Sequence, residues 1–220
     1  MWMLILLVLL FIQNIHSEIC PAREDITPCH CATYQNAINV DCSHLQSLKQ
    51  LTNSVSSLAG RKISSFVIKN SQFEYIPYDL FENVTIKEIE ISQSNFSRIG
   101  NLGELQFKGL ENSLEDIKFI KTFDRKNPLA YISMEHLNQL ISLEVRDSYV
   151  GHICNHMFKN GPKSLKIVRF VKGNIRSVGY RAFSFLKNLN IIDLSDNELS
   201  FIPRWALPEP AISLKEINLE

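Results

Sequence analysis

The chain has 220 residues, 45% of them hydrophobic, and its 23 basic and 23 acidic side chains cancel to a formal net charge of +0. That length can bury a sizeable core, and the charge balance excludes the basic footprint of a nucleic-acid binder. No run of Lys and Arg offers a grip on an anionic membrane surface.

Met3 to Ile12 is apolar without interruption, and the residues that follow run through Gln13 and Asn14 to the small Ser17. This pattern predicts a signal peptide over 1–17, because a membrane anchor needs roughly 20 apolar residues. Secretion places the chain in an oxidising compartment. Cys20, Cys29, Cys31 and Cys42 are therefore expected to form disulfides instead of holding zinc. Spacing alone leaves all three pairings of four cysteines open. Residues 18–62 are read as a cysteine-rich N-terminal cap and lead-in.

From Ile63 onward an L-x-x-L-x-L register recurs every 23 to 28 residues, with units starting at Ile63, Ile86, Leu114, Leu140, Leu165, Leu189 and Leu214. The fourth column reads Phe66, Ile89, Ile117, Leu143, Val168, Ile192, Ile217, and the sixth Ile68, Ile91, Phe119, Val145, Phe170, Leu194, Leu219. Alternation within a unit is the period of a strand, and a single unit cannot hide its own apolar side. The 63–220 segment is thus predicted to be seven leucine-rich repeats, the last incomplete. The expected fold is a leucine-rich-repeat solenoid, an α/β-type horseshoe with a parallel concave sheet, an irregular or short-helical convex side and a disulfide cap. Ile76, Ile99, Ile153, Val178 and Ile202, then Phe81, Phe158, Phe183 and Leu207, should point back inward from the convex side. The longer units starting at Ile86 and Leu114 call for a bulge or a short helix there.

Asn197 stands where such repeats form a ladder of side-chain bonds between turns, but other units carry Ser71, Ser94, Thr122, Ser148 and Gly173. A hydroxyl has one donor where an amide has two, so a weaker ladder is expected, with Asn174 compensating for Gly173 from one place late. The final unit stops with its strand barely begun. Ile217 and Leu219 should lie on an open edge, and the chain is read as a fragment whose continuation would hold more units, a cap or a membrane anchor.

Between the fourth and sixth columns, Glu90, Lys118, Glu144, Arg169 and Asp193 alternate in sign over five neighbouring strands, about 4.8 Å apart. One reading is a self-neutralising ladder, each contact contributing a few tenths of a kcal/mol. The other is a polar track that a partner engages, with Arg146 beside it and with Ile120 and Val171 as apolar anchors. Two sequons, Asn83-Val84-Thr85 and Asn95-Phe96-Ser97, are candidate glycan acceptors. His152, Cys154 and His156 alternate as metal ligands in an extended segment would, yet Cys154 fills the slot of Pro77, Gly100, Gly179 and Pro203. A small tolerated residue is the preferred account of it. No nucleophile elbow, zinc-protease motif or Gly-rich phosphate loop occurs, so no catalysis and no cofactor are expected.

The run Cys20-Pro21-Ala22-Arg23-Glu24-Asp25-Ile26-Thr27-Pro28-Cys29-His30-Cys31, with Val40-Asp41-Cys42-Ser43 after it, resembles the cap of secreted arthropod leucine-rich-repeat proteins. These are the proteins grouped with the non-catalytic subunit of Oplophorus-luciferin 2-monooxygenase. The resemblance implies disulfides Cys20–Cys31 and Cys29–Cys42, and a chain that accompanies an enzyme without performing its oxidation. The expected function is an extracellular, secreted module that binds a protein or matrix ligand on its concave face. The alternative is a non-catalytic stabilising subunit of a secreted enzyme complex.

Overall fold

The structure is a computed structural model that describes residues 19–99, 104–129, 134–155, 157–158 and 160–220, with backbone alone at 97 and 98. The predicted signal peptide and His156 lie outside the described residues. The chain forms a parallel-sheet solenoid with few helices, built on a nine-stranded sheet.

The cap opens with a short helix, α1 (Arg23–Ile26), followed by a hairpin of β1 (His30–Tyr34) and β2 (Ala37–Ser43). Gln35 and Asn36 join the strands at positive φ, 49° and 62°, the geometry of a two-residue hairpin turn whose twist matches the strands. The strand β2 then pairs in parallel with β3 (Lys62–Lys69), placing Val40 beside Phe66 and Cys42 beside Ile68. Its alternating Ile38, Val40 and Cys42 are buried, so the cap is itself the first rung of the stack.

The helix α2 (Leu48–Ser56) closes the other side of the cap. Ser47 caps it by accepting from the Gln50 N–H, and Leu51 and Val55 turn one face into the core. The hydroxyl of Ser54 donates to the Ile26 carbonyl at 3.0 Å, tying α2 to α1. Disulfides Cys20–Cys31 and Cys29–Cys42 fasten the assembly. This is the pairing that the resemblance implies.

Beyond β3 the sheet continues through β5 (Thr85–Ser92), β7 (Asp116–Ile120), β8 (Ser142–Arg146), β10 (Ile167–Val171), β12 (Ile191–Asp193) and β13 (Glu216–Asn218), all parallel. The fourth- and sixth-column residues from Phe66 to Leu194 are buried. Ile217 on the last described strand and Leu219 just after it remain 40% and 37% exposed, as expected of an edge.

The parallel rungs from β2 to β12 leave their strands by the same device. One residue takes a left-handed conformation at His44, Asn70, Gln93, Lys121, Asp147, Lys172 and Asp196, with φ between 48° and 56°. The N–H of each donates to the next rung, from His44 to the Lys69 carbonyl through Asp196 to the Glu220 carbonyl. The residue after it carries the ladder. Ser71 accepts from the Leu45 N–H and donates to the Lys69 carbonyl, and Ser94 accepts from Ser71 N–H and donates to Ser92. Ser148 accepts from Thr122 N–H, while Thr122 reaches the Ile91 carbonyl. Asn197 does more: it accepts from Gly173 and Ile175 N–H and donates to the carbonyls of Phe170, Leu194 and Ser195. Asn174 takes no part in the ladder. Its own φ is 52° and its exposed side chain turns outward, donating to Glu198 at 3.3 Å.

The return side is built from turns and short strands. The strand β4 (Gln72–Ile76) pairs with β6 (Asn95–Ile99), and β9 (His152–Ile153) with β11 (Ser177–Val178), each pair parallel. A 3-10 turn spans Arg204–Ala206. Where the longer units call for a bulge or a short helix, the described residues of the unit starting at Ile86 form turns at 106–109 and 111–113. Gly109 is required there: its φ is 94°, and a Cβ would lie 2.4 Å from the Glu82 backbone. Inside, rings bridge the two sides, with Phe66 edge-on to Phe81 at 5.4 Å and Phe158 against Phe170 and Phe183 at 6.3 and 5.7 Å. Ile76, Ile99, Ile153, Val178, Phe81, Phe158 and Phe183 are buried as expected, and Ile202 and Leu207 partly so.

Candidate functional site

Residues that alternate with the core columns form the solvent-facing side of the sheet, in rows fixed by strand register. The central row runs Asp41, Val67, Glu90, Lys118, Glu144, Arg169, Asp193, Asn218. A second row, two residues earlier on each strand, runs Ser65, Glu88, Asp116, Ser142, Ile167, Ile191, Glu216. The structure thus brings Glu90, Lys118, Glu144, Arg169 and Asp193 side by side, half-buried and in the expected order.

The ion pairs do not run along that row. Lys118 bonds diagonally to Glu88, Lys69 to Asp41, and Arg146 to Glu144 on its own strand at 2.8 Å. Glu90 and Arg169 take no partner in an ion pair among the described residues. The amine of Lys118 titrates above its ordinary range because it donates to Glu88, and partial burial opposes this only in part. Arg146 is likewise held up, chiefly by its bond to Glu144. Burial alone would raise Asp41, but bonds from Lys69 and Ser43 and the Lys69 charge outweigh it and hold the carboxyl low. Such half-exposed pairs contribute about 0–1 kcal/mol each, so they organise the face more than they stabilise the fold.

The apolar anchors fall differently from expectation. Ile120 is half-buried and reachable, but Val171 is only 3% exposed and has no surface to offer a partner. It shares its row with Arg146, its register partner on β8. Two residues that the sequence reading passed over replace it: Ile167 and Ile191, register partners at the surface beside Arg169 and Asp193. Their signal was present, since they precede the central row by two positions in the same alternation. Glu88 and Asp116 were passed over for the same reason, and with Glu90 they give the β5–β7 end an acidic excess over Lys118.

The other candidates resolve separately. Asn83 and Asn95 are both exposed. His152 Nδ1 lies 2.6 Å from the Ser177 hydroxyl across the β9–β11 pair, and Cys154 packs half-buried against the core. The slot is tight, for a Cβ on Gly179 would come within 2.8 Å of the Asn155 backbone nitrogen. Among the described residues no group of three His, Cys, Asp or Glu side chains is placed to hold a metal ion. No described helix is long and apolar enough to cross a membrane. No protein-family model matches the chain.

Proposed function

We propose that the solenoid is of the leucine-rich-repeat horseshoe type and that it acts outside the cell as a non-catalytic binding module for another protein or a matrix component. The observation that carries this reading is the sheet face at β10 and β12. Arg169 stands there between Glu144 and Asp193 with no ion-pair partner among the described residues, and the half-buried Ile167 and Ile191 lie beside it, while Lys118 and Arg146 are each paired. An Arg with no ion pair among the described residues, next to a pair of accessible isoleucines, is the composition of a binding hot spot, where Arg and neighbouring hydrophobes are desolvated together. The two disulfides favour an oxidising, extracellular setting. The family resemblance of the cap suggests one class of partner, a secreted enzyme that the chain accompanies.

Site-specific photo-crosslinking in the native extracellular fluid tests this. A crosslinker at Arg169 or Ile191 is expected to capture one recurrent protein, and the same group at Tyr180 on the return side none. Capture only from Tyr180 would overturn the assignment of the face. Identification of the captured chain as an enzyme in equal stoichiometry would select the companion role.

A further inference from the structure

A groove of about 490 Å³ lies on the flank of the first rungs, where the strands turn into the return side. Its floor is Leu45 and Ser71, and its walls are the carboxamides of Gln46, Asn70, Gln72, Gln93 and Asn95. All five wall residues are exposed. The side chains of Asn70, Gln72, Gln93 and Asn95 make no hydrogen bond to another described residue, and Gln46 donates to the His44 carbonyl. Among the described residues no charged side chain lines it.

The amide character is local. The left-handed position that is Asn70 and Gln93 here becomes Lys121, Asp147, Lys172 and Asp196 in later rungs. Gln72 and Asn95 are register partners in β4 and β6, so their side chains follow one another at about the strand spacing of 4.8 Å. Each carboxamide presents two donors and one acceptor without charge. A surface of that kind matches a neutral ligand rich in hydroxyl and acetamido groups, and it gives an ionic ligand no counter-charge. The volume is that of a small-ligand site. Asn95, one wall of the groove, also begins the sequon Asn95-Phe96-Ser97.

We propose that this groove seats the N-acetylglucosamine core of a glycan carried by Asn95 itself. The inference rests on the extracellular reading, because only a chain that crosses the secretory route meets the lipid-linked oligosaccharide donor. In the attachment, Asn95 Nδ2 bonds to C1 of the sugar, the glycosyl–pyrophosphate bond of the donor breaks, and one amide proton is released. The remaining carboxamides of Asn70, Gln72 and Gln93 then hydrogen-bond the first sugars, so that the glycan lies along the flank and the sheet face stays open.

The test uses the full chain secreted from animal cells, behind its own leader and in parallel behind a heterologous one. Mass spectrometry of the Asn95 peptide reads occupancy. Melting temperatures are then compared for the parent, Ser97→Ala, the pair Gln72→Ala/Gln93→Ala, and the triple variant. The expected result is an occupied Asn95, a fall of about 2 °C or more on Ser97→Ala, and an equal fall for the amide pair that vanishes in the Ser97→Ala background. An unoccupied Asn95, or an amide-pair effect of the same size in both backgrounds, overturns the proposal. N,N′-diacetylchitobiose supplies the second arm. Saturable binding to Ser97→Ala that the glycosylated parent lacks supports the chain's own glycan as occupant, whereas equal binding to both overturns it in favour of a free saccharide. Secretion only behind the heterologous leader would count against the extracellular reading and leave the groove result standing.

Discussion

At the scale of single residues, the ladder position shows how a small chemical difference sets local strength. Asn197 makes five hydrogen bonds where Ser94 makes two. Asn197→Ala leaves the Gly173 and Ile175 N–H groups without acceptors and should cost about 2–3 kcal/mol, against about 1–2 kcal/mol for Ser94→Ala, both read from urea unfolding midpoints. That Ser and Thr fill the ladder was legible, since the repeat spacing marks the position. That Asn174 turns away was not, because a one-residue offset from a left-handed turn sends the side chain out of the stack. His136 offers a second test. Its two ring nitrogens are buried and without a hydrogen-bond partner, and the Gln106 backbone lies near but outside bonding geometry. Burial holds the imidazole below its ordinary value of 6.5, against the pull of Glu111 and Glu135. The folded chain therefore binds that proton less readily than the unfolded chain, so stability should fall as pH drops below 6.5 and continue to fall to the lowered value. His136→Gln should flatten this part of a pH series of melting temperatures.

At the scale of elements, the cap carries more of the fold than its cysteine spacing announces. Cys42 occupies the sixth core column beside Ile68, and its bridge to Cys29 fastens the hairpin to the segment after α1. Replacing the pair as Cys29→Ala/Cys42→Ala should cost about 2–4 kcal/mol in thermal unfolding, and added reductant, which opens both bridges, should lower the parent at least as far. Cysteines clustered this densely pointed to disulfides at once. The hairpin did not stand out, although Ile38, Val40 and Cys42 alternate as any later strand does, because a strand of seven residues with one register shift breaks the L-x-x-L-x-L template. The β4–β6 and β9–β11 pairs were hidden for a related reason: segments of five and two residues carry too little alternation to separate strand from loop.

At the scale of the whole molecule, each inner rung is buried by its neighbours, and the two outermost described rungs differ. The hairpin and α2 cover the first, while Ile217 on β13 and Leu219 after it are exposed. Amide hydrogen exchange should follow this asymmetry, with the slowest protons in β5, β7 and β8 and the fastest sheet protons in β13. Slow exchange in β13, matching the centre, would contradict it. The core was readable from the chain because burial is periodic, and a period survives without an alignment. The working face was readable only in part, since paired and unpaired charges look alike until the structure shows that Lys118 reaches Glu88 while Arg169 has no ion pair among the described residues. The hydroxyl ladder has a further implication for descent. Most of its bonds reach no further than the adjacent turn, so tandem copying of a full rung can lengthen or shorten such a protein without rewiring the remainder. A single inserted codon inside a strand would do the opposite, exchanging inward rings for outward charges, and lineages should accumulate changes of the first kind and shed the second.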